Sequence, residues 1–257
     1  MIEFTKAICR QPATTFASGL TSANLGALGQ PDYERMLQQH QEYVALLRRL
    51  GLAVEVLESL PAFPDAHFVE DVAVITPEVA VITRPGAPER RDETAAIRDV
   101  LAQHRPLAAI EAPGTLDGGD VMQVDEQVFV GLSERTNSAG AEQLASILRD
   151  YGYKITAVPL GASLHLKSDV NYIGRDTLIM TAAWAGAGIF APYKRIIVND
   201  AEAYAANTLL INGALLSPAG FTDTHEKLRT AGFEVIPVCS DEARKMDGGL
   251  SCLSLRF

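Results

Sequence analysis

One pattern recurs along this chain and limits the folds that it can adopt: a strand, a helix, a glycine and a second strand. Tyr33 to Leu50 carries its apolar residues on one side of a helix, Gly51 follows it, and Leu52 to Leu57 is a short apolar strand. The same order returns at three later helices, predicted over residues 91–103, 138–151 and 222–231. Repetition of this kind predicts a repeat architecture that closes on itself rather than one open sheet.

A weaker fifth copy of the unit lies around residues 160–200. The competing fold is a doubly wound Rossmann-type sheet, which predicts a glycine-rich phosphate loop after the first strand. That strand runs here into Cys9-Arg10-Gln11-Pro12-Ala13, which is not such a loop. Because no linker-like run or change of composition divides the chain, we expect a single α/β domain over residues 1–257.

The charge balance and the apolar runs exclude several classes of protein. Asp and Glu number 32 against 22 Lys and Arg, a net charge of −10, whereas nucleic-acid binding needs clustered positive charge. The longest uncharged run, Thr177 to Tyr193, is shorter than the ~20 apolar residues of a spanning helix and is predicted to be a strand and a loop. We therefore expect no nucleic-acid partner and no membrane, whereas a small cationic substrate would suit the acidic chain.

The cysteines and the first residues bear on the cellular compartment. Cys9, Cys239 and Cys252 are odd in number, widely spaced and without a CxxC pair, which argues against a disulfide framework and a zinc site. The start, Met1 to Lys6, lacks the basic and apolar regions of a secretory signal. We expect a cytoplasmic protein, either a monomer or a homodimer.

Several segments place reactive side chains in unusual surroundings. Cys252 follows the pair Gly248-Gly249, which permits close backbone approaches. His165 alone among the five histidines stands between apolar residues in a strand-like stretch. Asp117 and Asp120 flank another glycine pair, so they either form a hairpin turn or point into one pocket.

The remaining cysteines and histidines fit structural or surface positions. Cys9 and Cys239 lie in apolar strand patterns without polar company, which favours buried structural thiols. His40, His104 and His225 lie on predicted helices beside charges, which favours exposure to solvent.

Taken in order, these and other segments resemble the dimethylarginine dimethylaminohydrolases of the guanidino-group-modifying (pentein) superfamily. The matching motifs span nearly the whole chain: Ser18-Gly19-Leu20-Thr21-Ser22, Phe68-Val69-Glu70-Asp71, Ile82-Thr83-Arg84-Pro85-Gly86 with Arg90-Arg91, Leu116-Asp117-Gly118-Gly119-Asp120, Arg135-Thr136-Asn137, His165-Leu166-Lys167, Tyr204-Ala205-Ala206-Asn207 and Asp247-Gly248-Gly249-Leu250-Ser251-Cys252. The resemblance implies a five-bladed αβ-propeller of ββαβ units around a central site, in agreement with the repeats.

The resemblance also implies the reaction and its catalytic residues. Cys252 attacks the guanidinium carbon as a thiolate, because a poorly electrophilic carbon needs a soft nucleophile. His165 protonates the departing alkylamine and then activates water against the S-alkylthiouronium intermediate, leaving citrulline. Asp117, where bacterial relatives can carry Glu, orients His165. No metal and no cofactor are expected.

Substrate-binding residues follow from the same resemblance. Asp71, with Glu70 beside it, matches the acid that pairs with the guanidinium, because a carboxylate accepts two N–H bonds. Arg90 and Arg135 match arginines that bind the substrate carboxylate, for which a planar guanidinium is suited. The last three positions match the lid residue at the α-amino end and residues lining the pocket: Leu20, Asp65 and Asp247. The stretch from Ser18 to Pro31, rich in Gly, Ser and Asn, is expected to be a mobile lid.

Two other functions remain open on sequence grounds. Arginine deiminases and amidinotransferases share the fold but resemble one another in carrying an Asp two residues after the catalytic histidine, where this chain has Lys167. Lys167 is expected to turn toward solvent, so that no second carboxylate faces the substituted guanidinium nitrogen. Non-catalytic pentein binding modules lack the Cys–His–acid set that this chain carries.

Overall fold

A computed structural model describes residues 3–21, 28–161 and 163–257 of the chain. Fifteen strands lie within these residues, and they form five sheets of three strands each. The strands are β1 (Lys6–Arg10), β2 (Ala53–Leu57), β3 (Ala73–Ile75), β4 (Ala80–Ile82), β5 (Leu107–Ala109), β6 (Val121–Val124), β7 (Gln127–Leu132), β8 (Lys154–Pro159), β9 (Val170–Tyr172), β10 (Thr177–Thr181), β11 (Lys194–Val198), β12 (Leu209–Ile211), β13 (Ala214–Pro218), β14 (Glu234–Val238) and β15 (Leu255–Arg256).

The helices are of two kinds. The α-helices are α1 (Tyr33–Arg49), α2 (Ala95–Ala102), α3 (Ser138–Arg149), α4 (Leu166–Asp169), α5 (Thr222–Thr230) and α6 (Asp241–Lys245). Short 3₁₀ helices cover Phe16–Ser18, Val69–Val72, Pro88–Thr94, Gly118–Asp120, Ala182–Trp184, Gly188–Phe190, Asp200–Ala206 and Ser251–Leu253. None of the helices that the structure describes is both long enough and apolar enough to cross a bilayer.

Every sheet has the same strand order, which confirms the predicted ββαβ unit. A central strand pairs antiparallel with one neighbour and parallel with the other, and the parallel partner follows it along the chain. A parallel pair needs a crossover connection, and in most of the units that connection includes a helix. The sheets are β3-β4-β5, β6-β7-β8, β9-β10-β11, β12-β13-β14 and β15-β1-β2.

The weak fifth repeat has a structural cause. Between β10 and β11 the chain makes two 3₁₀ turns, Ala182–Trp184 and Gly188–Phe190, where other units have an α-helix. Gly186 and Gly188 disfavour a helix there. The predicted strand and loop over residues 177–193 are therefore confirmed, with short turns inside the loop.

The five sheets close into a ring because each central strand buries both of its faces. Successive side chains of a strand point to opposite faces, so Leu178 and Ile179 of β10 enter two different apolar clusters. Each of the five clusters is shared by two neighbouring blades, and one of them joins the blade of β13 to the blade of β1. The strands that pair antiparallel with the central strands also contact one another between neighbouring blades. For example, β15 contacts β3, and β6 contacts β9. The five-bladed αβ-propeller is confirmed.

Local sequence explains why α1 begins at Tyr33, as predicted. Asp32 accepts a hydrogen bond from the Arg35 amide and caps α1, while Met36, Tyr43 and Leu47 turn one face to the core.

The solvent exposure of three side chains differs from the prediction. His40 and His225 are buried, whereas Cys239 is exposed, so those three predictions were wrong.

Candidate active site

A cavity of about 640 Å³ opens on one side of the ring and brings most of the predicted site residues together. Its walls come from loops of several blades, which is how a rigid propeller positions side chains that are far apart in sequence. Eight of the ten predicted residues line it: Leu20, Asp65, Asp71, Arg90, Arg135, His165, Asp247 and Cys252. Asp117 and Glu70 lie behind this wall.

The Cys252 turn is shaped by close packing at its glycines. A Cβ added to Gly248 would lie 2.2 Å from the Phe68 ring, and one added to Gly249 would lie 2.4 Å from the Asn207 side chain. Asp247, just before them, has a positive φ of 58°. The chain then enters the 3₁₀ turn Ser251–Leu253, in which Cys252 Sγ accepts a hydrogen bond from the Gly249 amide at 3.4 Å. The two glycines therefore let the turn that carries Cys252 pack directly against Phe68 and Asn207 in the wall of the cavity.

The Cys252 thiol is protonated in this structure. Burial raises its pKa, and the negative charges of Asp71 and Glu70 raise it further, to about 12. The Gly249 amide and the Lys167 ammonium act in the opposite direction but are outweighed. A cation placed in the cavity would favour the thiolate, because it would offset these carboxylates.

His165 is held by Asp117 and surrounded by acids. Its Nε2 lies 3.1 Å from Asp117 Oδ2, while Asp117 Oδ1 accepts the Gly86 amide at 2.9 Å. Burial lowers the pKa of His165, but Asp71, the hydrogen bond to Asp117 and the charge of Asp120 together raise it to about 9. The ring is thus an imidazolium at neutral pH, and Nδ1 remains for proton transfer because Nε2 is committed to Asp117.

Asp71 lies between a backbone donor and a buried arginine. Its Oδ1 accepts the Gly119 amide at 3.0 Å, and its Oδ2 accepts Arg90 Nη1 at 2.5 Å. Arg90 also donates to Glu93 and to the carbonyls of Phe68 and Asp65, so most of its N–H groups are engaged within the protein. Arg90 therefore fixes Asp71 in place, rather than presenting a free guanidinium to the cavity.

Arg135 is the less committed of the two predicted carboxylate binders. Its side chain lines the cavity and makes no hydrogen bond or ion pair with the part of the chain that the structure describes. Its backbone packs against Gly86 so closely that a Cβ there would lie 2.4 Å from the Arg135 Cα. A cation held in this way is available to an anionic group of a ligand.

Asp65 and Leu20 meet at the edge of the cavity. The Leu20 amide donates to Asp65 Oδ2 at 2.9 Å, and Gly19 packs directly on the same carboxylate. Asp65 thus anchors the first part of the predicted lid. Residues 22–27 of that lid, including Ser22 of the matching motif, lie outside the described residues.

Glu70 and Lys167 differ from their predicted placement. Lys167 does not turn toward solvent: its side chain is only 13% exposed and its Nζ lies 2.7 Å from Glu70 Oε1. Arg256 Nη2 binds the same oxygen at 2.8 Å, and Ser251 Oγ donates to Oε2 at 2.7 Å. The cations are drawn inward because a buried carboxylate must be neutralised. Glu70 thus faces a second cavity of about 610 Å³, and its cluster forms the floor between the two cavities.

Sequence reasoning assigned no role to the residues that brace the nucleophile turn. Asn207 Oδ1 accepts the Ser251 amide at 3.0 Å, and its Nδ2 donates to the Lys167 carbonyl. Tyr204 donates to the Gly248 carbonyl at 2.9 Å. Both residues belong to a motif that matched the family, which was the available signal, but only the fold brings them beside Cys252.

One group of potential metal ligands lies in the site among the described residues. Oxygen or nitrogen atoms of Asp71, Asp117 and His165 all fall within 4.8 Å of one another. Asp117 and His165 already bind each other, and Asp71 binds the Gly119 amide and Arg90. A proton-transfer site is the better description, because the adjacent guanidinium would repel a metal cation.

Comparisons with known proteins agree over the whole chain. Residues 10–184 match the family described as "N,N dimethylarginine dimethylhydrolase, eukaryotic". The N(G),N(G)-dimethylarginine dimethylaminohydrolase of Pseudomonas aeruginosa is 39% identical over 99% of this chain and 100% of its own. That of Streptomyces coelicolor is 36% identical over 98% of this chain and 96% of its own.

A solved structure extends the similarity to three dimensions. The Pseudomonas aeruginosa enzyme, as a serine-for-cysteine mutant complexed with citrulline, superposes with a TM-score of 0.96 at 38% identity, and the match covers 100% of both chains.

Proposed function

Because the chain belongs to the dimethylarginine dimethylaminohydrolase family, we propose that it hydrolyses N-omega-methylated arginines to citrulline and the corresponding amine. The observation that carries the proposal is one cavity lined by a thiol, a histidine paired with a buried acid, an anchored carboxylate and an arginine whose guanidinium has no hydrogen bond to the described residues. These groups complement a substrate with a guanidinium at one end and a carboxylate at the other.

The substrate itself activates the nucleophile. Its guanidinium binds beside Asp71 and offsets the negative charges that raise the pKa of Cys252, so the thiol loses its proton only when the site is occupied. That proton passes to solvent water, because His165 is already protonated. The thiolate then attacks the guanidinium carbon and forms a C–S bond. An empty site, by contrast, keeps an unreactive thiol.

His165 serves both halves of the reaction. As an imidazolium it gives a proton to the leaving amine when the C–N bond breaks, which leaves an S-alkylthiouronium on Cys252. The neutral imidazole then takes a proton from water, which attacks the same carbon, and the C–S bond breaks to release citrulline. Asp117 holds the ring in both halves and stabilises the imidazolium whenever it forms.

Recognition of the amino-acid end falls to the opposite wall of the cavity. Arg135 binds the α-carboxylate, while Asp65 and the Leu20 backbone hold the α-amino group. Asp247 completes the lining, and Arg90 acts through Asp71. Glu70 supports the floor beneath Cys252 rather than binding the substrate.

Preference for methylated arginine follows from the charge of the floor. With its ammonium bound to Glu70, Lys167 leaves no second carboxylate at the position where deiminases carry one. A dimethylated nitrogen has no N–H to give, so an unpaired acid facing it would be costly. A deiminase activity is therefore the weaker alternative, and a non-catalytic role would leave the Cys–His–Asp set unexplained.

The direct test is incubation of the purified protein with asymmetric dimethylarginine, monomethylarginine and arginine, with assay of citrulline and the released amine. We expect both methylated substrates to be turned over, and Cys252→Ser to lower kcat by roughly a thousandfold or more. Cys239→Ser is the matched control and should keep full activity, since that thiol is exposed and away from the cavity. Arginine as the best substrate would contradict the proposal.

The cellular compartment, the domain organisation and the oligomeric state are also part of the proposal. The three cysteines are all unpaired, which supports a reducing cytoplasm. We further propose that residues 1–257 form a single domain, which acts as a monomer or a homodimer without metal, cofactor, nucleic acid or membrane.

A further inference from the structure

Asp120 is a buried carboxylate whose charge helps to raise the pKa of His165, but which takes no part in the proposed steps of the reaction. It ends the 3₁₀ turn Gly118–Asp120, is 0% exposed, and lies behind the wall of the catalytic cavity. The sequence allowed Asp117 and Asp120 to point into one pocket, but neither of them lines the catalytic cavity. The fold makes room for Asp120, since a Cβ at Gly131 would lie 2.7 Å from its Oδ1. A desolvated carboxylate is costly unless its oxygens are well bonded.

The first oxygen of Asp120 holds the segment of the catalytic histidine. Oδ1 accepts the Leu166 amide at 2.9 Å. Leu166 directly follows His165 and begins α4. Asp120 therefore sets the direction in which the backbone leaves His165, whereas Asp117 sets the orientation of the His165 ring.

The second oxygen holds the segment of the cavity arginine. Oδ2 accepts Ser133 Oγ at 2.7 Å, and that hydroxyl oxygen in turn accepts the amides of Arg135 at 3.0 Å and Thr136 at 3.1 Å. Thr136 Oγ1 then accepts the Asp117 amide at 3.0 Å. The hydrogen bonds thus return to the acid that binds His165 and close a loop.

We infer that Asp120 is a positioning residue that fixes His165 and Arg135 relative to each other, so that the leaving nitrogen of the substrate meets its proton donor when the substrate carboxylate is bound. The inference deepens the proposed function and rests on it for the role of Arg135. Such coupling matters because a misplacement of about 1 Å at a reacting centre can cost on the order of a hundredfold in rate.

Ser133→Ala tests one arm alone, because it frees the Arg135 and Thr136 amides while Asp120 still binds Leu166. For dimethylarginine we expect KM to rise roughly tenfold with kcat within about twofold, the size expected for one lost charge-assisted contact. A decarboxylated analogue, N,N-dimethylagmatine, should show no change between Ser133→Ala and the unaltered protein. Ser133→Thr keeps the hydroxyl and should restore KM.

Asp120→Ala cuts both arms and should lower kcat as well as raise KM. Its effect should exceed that of Ser133→Ala by about tenfold in kcat/KM. Equal losses on dimethylarginine and on the decarboxylated analogue in Ser133→Ala, or unchanged kinetics in both variants, would overturn the inference.

Amide hydrogen exchange separates this inference from the proposed function, because it needs no substrate. Ser133→Ala should speed exchange at the amides of Arg135 and Thr136 but not at Leu166, whereas Asp120→Ala should speed it at all three. A protein that turns over no methylarginine yet shows this pattern would refute the proposed function and keep the positioning. An unaltered exchange pattern would refute the positioning itself.

Discussion

Asp71 raises the pKa of two reactive groups, and the consequences for their reactivity are opposite. Its charge raises the pKa of Cys252 and so disfavours the thiolate, while it also raises the pKa of His165 and so favours the imidazolium. Without a cation beside Asp71, the thiol is therefore protonated and unreactive, whereas the imidazolium is ready to act as an acid. Under the proposed function, a substrate guanidinium paired with Asp71 would weaken the first effect, so that the thiol would become reactive where the substrate is bound.

Neutralising this carboxylate should make the free thiol more reactive. In a Cys239→Ser background, Asp71→Asn is expected to speed alkylation of Cys252 by iodoacetamide at pH 8, by about tenfold for each unit that the pKa falls. Turnover of methylarginine should fall in the same variant, because the guanidinium loses its partner.

Asp92→Asn provides the control, since Asp92 is an exposed acid on the same 3₁₀ helix as Arg90. It should change neither alkylation nor turnover. Slower alkylation in Asp71→Asn would show that the carboxylate does not hold the thiol protonated.

At the scale of elements, close contacts with the backbone outweigh intrinsic propensity. Gly140 lies in the first turn of α3, just after the Asn137 cap that accepts its amide. Helix propensity alone favours alanine there by about 1 kcal/mol. A Cβ at this position would lie 2.0 Å from the Thr115 carbonyl oxygen, which belongs to the loop leading to Asp117.

Gly140→Ala is therefore expected to lower the free energy of unfolding by about 1–3 kcal/mol, the usual cost of overpacking. Ser146→Ala, at an exposed position of the same helix, should raise it by a few tenths of a kcal/mol. Urea denaturation of both variants checks the contrast. A stabilised Gly140→Ala would mean that α3 can shift away from the loop without cost.

The difference between local propensity and contacts with distant segments explains which elements could be predicted from sequence alone. α1, α3 and α5 were predicted to within about two residues, because their apolar spacing and following glycines are local signals. His165 looked strand-like but leads into the single turn α4, which exists because Asp120 binds its first amide.

Site residues divide in the same way. Cys252, His165 and Asp71 carry motif signals, and the structure places all three in one cavity. The inward turn of Lys167 and the burial of His40 depend on partners far away in sequence, so no local pattern revealed them.

At the scale of the whole molecule, the charged floor links the last strand to the nucleophile turn. Arg256 in β15 donates to the carbonyls of Ser251 and Ser254 and to Glu70. Arg256→Met, which keeps an apolar stem, should lower the free energy of unfolding by about 3 kcal/mol, because it leaves Glu70 short of one partner.

Arg229→Met serves as the matched control, since Arg229 is exposed on α5. Its effect should stay within about 0.5 kcal/mol. Equal effects of the two substitutions in urea denaturation would show that the floor contributes nothing to stability.

Stability should also depend on pH through His165. Its pKa is raised from 6.5 to about 9 in the folded protein, so the contribution is complete below pH 6.5 and is lost as pH rises through 9. Asp117→Asn removes a cause of that shift and should flatten the free energy of unfolding between these values. An equally steep decline in the variant would assign the dependence to other groups.

Because β1 pairs with β15, the point at which the chain starts and ends could be moved without changing the ring of five blades. Phe257 exchanges hydrogen bonds with Lys6, so the two ends of the described chain meet within one blade. A short peptide could join them, and a circular permutant could begin elsewhere, for example at the exposed Gly186 between β10 and β11, where a Cβ would meet nothing within 4 Å. Such a permutant would carry its nucleophile in the interior of the chain rather than near one end, with the same five blades around it.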